Sequence, residues 1–173
     1  TLKFHPGSIL SVSSKAVLTI DGNIEAGFFQ IFSSSRYGSI TGKPKVSAIF
    51  AHWFYTGTGS WHKAINQALN WTAIIPPNDE SSIDKDYDPK KGGIGYYKGF
   101  STVFLPEGDY QVDSKIIVPW GGVCILQGAG ADKTRLFNVN ENLSAIIRLK
   151  RGDTKTLNTA EGVRLIGLKL DAT

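Results

Sequence analysis

The chain has 173 residues but no methionine, a single cysteine and three histidines. Each shortage closes a route. With Cys124 alone, no internal disulfide and no thiolate zinc site can form. No apolar run reaches the roughly 18 residues that a membrane-spanning helix needs. No charged stretch followed by an apolar one opens the chain as a signal peptide would. From the missing methionine, Thr1 is expected to be a processed start or a cut into a longer chain. Blocks of like charge are also absent: the net charge is +4, with six Lys or Arg against Asp21 and Glu25 in residues 1–75 and near balance afterwards. Without a basic stripe interleaved with aromatics, nucleic acid is not an expected partner. At 41% apolar and 20% charged residues the composition is globular, which excludes general disorder.

What is present reads mainly as short strands. In the first fifty residues, Leu2-Lys3-Phe4, Ile9–Val12, Ala16–Ile20, Ile24–Gly27 and Phe28–Phe32 are β-branched or aromatic runs, separated by Gly, Pro or Asn. Ser33 to Lys45 reads as a polar connector, and residues 1–50 as a short β-rich N-terminal module. One helix stands out. Trp61, Ala64, Ile65, Ala68 and Leu69 share one face at the helical period, with Ser60 as the expected N-cap. His62, on the polar side, is expected to be solvated. Residues 76–100 are polar, charged and glycine-rich and read as a surface insertion.

Beyond the insertion the strand signal acquires a period. Similar runs begin at Val103, Val123, Ala145 and Val163, spaced by 20, 22 and 18 positions, with secondary strands at Tyr110–Val112 and Lys115–Val118. Several short strands per repeat of roughly 20 residues, without a helix in each repeat, predict a β-solenoid. Residues 51–173 are therefore predicted to be its first coils, and the helix to cap its N-terminal end.

Particular segments resemble the pectate-lyase-like β-helix superfamily, which includes phage tailspikes and cell-wall enzymes. Gly27–Phe32 is similar to the family's AG-x-x-QIF segment, and Trp53-Phe54, Gly57-Thr58-Gly59 and Ala64-Ile65 to the opening that follows it. Ser101–Tyr110 resembles its GTVYLPAGTY coil, Leu126–Gly130 with Thr134 its glycine-rich turn, and Gly162–Asp171 a later coil. The resemblance implies an all-β, right-handed parallel β-helix with one short N-terminal capping helix. It implies an extracellular, cell-surface or virion protein that acts on or binds an acidic polysaccharide, as a lyase or glycoside hydrolase. Its alternative is a non-enzymatic adhesion or spacer module. It also implies a homotrimer, as in tailspikes, and a calcium ion in a full-length lyase; no cofactor is expected in this chain. The family's paired aspartates before the helix are replaced here, with Thr58 at one place and Trp61 and His62 near the other. Catalytic coils are expected past Thr173.

The local chemistry is sparse. Asp84, Asp86 and Asp88 alternate like calcium-loop ligands, but Pro89 and Gly95 stand where an EF-hand requires glycine and glutamate. Gly128–Thr134 has a superficial phosphate-loop look, yet Asp132 precedes Lys133 where glycine is needed, so a tight turn explains those glycines better. His5, His52 and His62 have no neighbouring ligand in sequence, so no metal site or catalytic triad is predicted. Sugars stack their C–H faces on aromatic rings. Tyr96 and Tyr97 are accordingly the candidate substrate-binding residues, with Phe100 and Trp120 as further aromatics. No catalytic residue can be named.

Overall fold

A computed structural model of the chain describes residues 1–34, 39–42, 44–72, 101–118, 124–149 and 164–171. The described part is mostly short strands with one α-helix, and every strand pairing in it is parallel. Among the described residues no helix is long and apolar enough to cross a membrane.

The first six strands pair three by three. Strand β1 (Leu2–Lys3) pairs with β4 (Ile24–Glu25), β2 (Leu10–Val12) with β5 (Phe32–Ser34), and β3 (Val17–Thr19) with β6 (Ser39–Thr41). The registers Leu2↔Ile24, Leu10↔Phe32 and Val17↔Ser39 all step by 22 positions. Two differences from the sequence reading appear here. The strand expected at Phe28–Phe32 begins at Phe32, because Phe28 turns outward to lie edge-on against Phe50, with centroids 4.8 Å apart. The connector expected at Ser33–Lys45 contains the end of β5 and the whole of β6, whose single apolar residue, Ile40, is too short a signal to read.

After β7 (Ala48–Phe50) come a 3₁₀ turn (Ala51–Phe54) and helix α1 (His62–Thr72). Strands β8 (Ser101–Leu105), β9 (Gly108–Val112) and β10 (Ile116–Val118) follow, then β11 (Cys124–Gly128), β12 (Thr134–Asn138) and β13 (Ile147–Leu149). The last two are β14 (Arg164–Ile166) and β15 (Lys169–Asp171). They form sheets ordered β14-β11-β8-β7, β15-β12-β9 and β10-β13. The sequence reading put the run at residues 145–149 in one series with those at 103 and 123. The structure places β13 beside β10 instead, with Ile116 opposite Ile147. The step from β8 to β11 is Ser101↔Cys124, while that from β11 to β14 is Ile125↔Arg164, so the spacing is not the even one expected. Gly167, at φ +60°, ends the expected continuous strand at 163–170 and divides it into β14 and β15.

In-register pairing stacks like on like. Ile49, Val103 and Leu126 align in successive strands and are fully buried, as is Leu136 beside the almost completely buried Tyr110. Each such large apolar side chain contributes roughly 1.5–3 kcal/mol on burial. Leu165 and Leu170 continue these two rows but remain 45% and 46% exposed.

The helix forms as its apolar period requires. Ala64, Ile65, Ala68 and Leu69 are buried, packed chiefly on the 3₁₀ turn, β10 and β8. The Trp61 carbonyl accepts the first helical bond from Ile65 N–H at 3.0 Å, so the capping position is Trp61, one residue after the expected Ser60. The Ser60 hydroxyl still accepts the His62 N–H, at 3.4 Å. The helix does not stand at the chain's first layer: β1–β6 precede it, and the 3₁₀ turn accepts a bond from them, Ile31 N–H to the Trp53 carbonyl at 3.1 Å.

Candidate functional site

Tyr96 and Tyr97, the expected sugar-stacking residues, lie outside the described residues, as do Phe100, Trp120 and the Asp84–Asp88 run. The Gly128–Thr134 segment is described, and it is a turn whose polar groups serve the fold. The Thr134 hydroxyl accepts the Ala129 N–H at 2.9 Å and faces the Pro106 carbonyl at 3.1 Å. A Cβ on Gly128 would fall 2.2 Å from the Gly167 carbonyl oxygen, so two layers meet backbone to backbone there. That use of glycine fits the turn reading and leaves the loop's hydroxyl occupied.

Two other places gather chemistry. The first is the outward face of β9, β12 and β15. Register sets Asp109, Arg135 and Lys169 in one row and Gln111, Phe137 and Asp171 in the next. Strand alternation turns Tyr110, Leu136 and Leu170 the opposite way. The Arg135 guanidinium lies 4.9 Å from the Phe137 ring centre, a cation–π contact. Asp171 Oδ2 fixes it through Nε at 3.0 Å and Nη2 at 2.8 Å, with Asp109 farther off at 3.9 Å. Lys169 is more loosely placed, 4.0 Å from Asp171 and 59% exposed. The arrangement presents fixed donors and acceptors at the strand spacing of about 4.8 Å.

The second place is a cavity of about 460 Å³ between the loop after the 3₁₀ turn and the start of α1. Its wall includes Tyr55, whose ring stacks on Trp61 at 3.6 Å and 10° between planes. Opposite it stand His62 and Asp113, from α1 and the β9–β10 corner. His62 Nδ1 is 2.8 Å from Asp113 Oδ1 and 2.9 Å from Ser60 Oγ. The Ser60 hydroxyl foremost, with the His62 ring, holds the Asp113 carboxyl below its usual range against the opposing cost of desolvation. Ser60 Oγ also accepts the Asp113 N–H at 3.0 Å.

Serine, histidine and aspartate thus meet, though not as a catalytic triad. A triad places the serine and the carboxylate on opposite ring nitrogens, whereas both sit on Nδ1 here. Ser60 is a structural hydroxyl. Among the described residues no cluster of three metal-ligating side chains occurs. Sequence reading missed the His62–Asp113 pair because the partners are 51 positions apart, and it took His62 as solvated where its side chain is only 16% exposed. The one signal available was the absence of any Asp or Glu in residues 57–63, which leaves that helix start without a local carboxylate.

The comparisons add no neighbour: no family model, curated protein or solved structure matches the chain.

Proposed function

We propose that the chain is part of a right-handed parallel β-helix whose outward face binds an acidic polysaccharide. Parallel pairing of β1–β3 with β4–β6, and of β8–β10 with β11–β13, three strands at a time, supports the β-helix reading. On this reading α1 takes the third strand's place between β6 and β10. The observation that carries the function is the Arg135 row. A guanidinium set against Phe137 and paired with Asp171, with exposed Lys169 beside it and Asp109 and Gln111 adjoining, offers repeated hydrogen-bonding groups to a chain of hydroxyls and carboxylates. The site reads as binding in preference to catalysis, because its carboxylate Asp171 is tied to Arg135 and glycoside hydrolysis needs two available carboxyl groups facing one bond. The adhesion or spacer role is thus favoured over a lyase or hydrolase within these residues, and an extracellular, cell-surface or virion setting goes with it.

Affinity electrophoresis of the chain through gels containing pectate, alginate or a neutral glucan tests this. Retardation by an acidic polymer is expected, weakened about tenfold or more by Arg135→Ala and reduced by added salt. Equal mobility in all gels would remove the proposal.

A further inference from the structure

The imidazole of His52, in the 3₁₀ turn, takes no part in the sheet face or in the contact between His62 and Asp113. It is half-buried, and aromatic rings from three other segments enclose it. Trp61 before α1 lies 4.7 Å away between centroids, Tyr110 of β9 5.8 Å and Phe28 of the β4–β5 loop 6.0 Å. His52 Nδ1 is itself buried and has no hydrogen-bond partner among the described residues. We propose that His52 and Phe28 form an acid-released latch that holds the first strands to the later layers.

A neutral imidazole leaves one ring nitrogen without a proton, so a sealed Nδ1 costs little in that form. Imidazolium carries an N–H on both nitrogens, and a charged donor shut in without an acceptor costs far more. Among the described residues no carboxylate pairs with His52 to offset that cost. Of the groups that face it, Phe28 and Trp61 carry no charge. Tyr110 donates its hydroxyl to the Pro106 carbonyl at 2.9 Å, and burial pushes its pKa up, so it stays a neutral phenol. Tyr55, next in the chain after the turn, donates its backbone N–H to the His52 carbonyl at 3.2 Å. Burial accordingly lowers the His52 pKa. The most exposed of the three rings is Phe28, at 54%, so the protonated imidazole reaches water most readily by displacing it. Phe28 follows Gly27, whose carbonyl accepts the Trp53 indole N–H at 3.1 Å, and the Ile31 N–H donates to the Trp53 carbonyl at 3.1 Å. Both bonds tie the β4–β5 segment to the 3₁₀ turn. Displacement of Phe28 strains the first of them, so protonation loosens β1–β6 ahead of β8–β15. With the folded pKa lowered, the latch is complete above the unfolded value of about 6.5 and is lost as pH falls through that value toward the lower folded one.

Amide hydrogen exchange of the whole chain, read as protection factors at about pH 7.5 and about pH 5, tests the latch. Protection of residues 24–32 is expected to fall about threefold or more on acidification relative to that of β8, β9, β11 and β12. In His52→Phe, which keeps a ring but takes up no proton, the ratio should stay level. His52→Gln gives the same reading if phenylalanine disturbs the packing. Comparison of parent and variant isolates this ring from the other two histidines. In the parent protein, the His52 ring signal followed by nuclear magnetic resonance is expected to titrate below about pH 6.5. Titration at or above that value would overturn the latch. So would protection that is unchanged, falls evenly across the layers or falls equally in the variants. Protection that rises in acid would overturn it too, showing that the rings hold the imidazolium through cation–π contact.

Discussion

The side-chain amide of Asn66 bonds the backbone around Ile117 as a neighbouring strand would. Its Oδ1 accepts the Ile117 N–H at 2.7 Å and its Nδ2 donates to the Lys115 carbonyl at 3.2 Å. One residue bonding the carbonyl before and the amide after its opposite number is the pattern of a parallel ladder. Strand β10 pairs with β13 on its other edge, so a helical side chain completes its hydrogen bonding.

Asn66→Ala removes both partners from that edge. The expected loss is about 0.5–1.5 kcal/mol, the net worth of hydrogen bonds that water can partly replace at this exposed edge. Asn66→Asp keeps the acceptor and should lose less. Urea unfolding measures both, and an alanine variant within 0.5 kcal/mol or so of the parent would show that water replaces the amide freely.

The buried face of α1 sets a second expectation. Ile65 is fully buried, and Ile65→Ala should cost about 2–5 kcal/mol through lost transfer energy and the remaining cavity. A loss near zero in the same unfolding assay would mean that the helix is not held by this face.

Acid should weaken the clasp at the helix start. The Asp113 carboxyl is held below its ordinary range in the folded chain, first by the Ser60 hydroxyl and further by the His62 ring. A lowered carboxyl pKa stabilises the fold above the unfolded value of about 3.9, and that stabilisation disappears as pH falls through the lower folded value. Melting curves of the parent and Asp113→Asn between about pH 7 and about pH 3 should therefore converge toward the acid end. A gap that stays constant with pH contradicts the clasp. Its size will be modest, since the Asp113 side chain is 49% exposed.

Gly128→Ala is expected to destabilise by overpacking, the opposite cause from the cavity left by Ile65→Ala. The added Cβ would meet the Gly167 oxygen at 2.2 Å and the Thr134 Cβ at 2.7 Å, contacts that require backbone to move. Losses in the 1–3 kcal/mol overpacking range or above are expected. A melting temperature equal to the parent's would show that the two layers separate without cost.

What could be read from the sequence was the strand content, the helix and the turn glycines, because alternation, helical period and Gly-rich punctuation are local signals. The apolar face from Ala64 to Leu69 is buried as its spacing required. Register was less legible. Strands of three residues carry too little alternation to show which neighbour they join, and Ile147–Leu149 was accordingly assigned to the wrong series. Ser39–Thr41 was missed because its one apolar residue, Ile40, gives too short a signal, and its pairing with β3 makes it a strand. The sites were hardest to foresee. Asp113 reaches His62, and Asp171 reaches Arg135, only through stacking of segments distant in the chain.

The division of the hydrogen-bonded ladders has a consequence for cooperativity. Strands β1–β6 bond in three two-stranded ladders, while β7, β8, β11 and β14, and β9, β12 and β15, form longer ones, and the Ile31–Trp53 backbone bond and the Trp53 indole on the Gly27 carbonyl cross between the two parts. Local opening follows such boundaries, since a unit separates where few ladder bonds must break together. The first forty residues can therefore fray as one unit while the layers bearing Arg135 and Asp113 stay closed. Loss of the early strands and loss of binding would then be separable events in the same molecule.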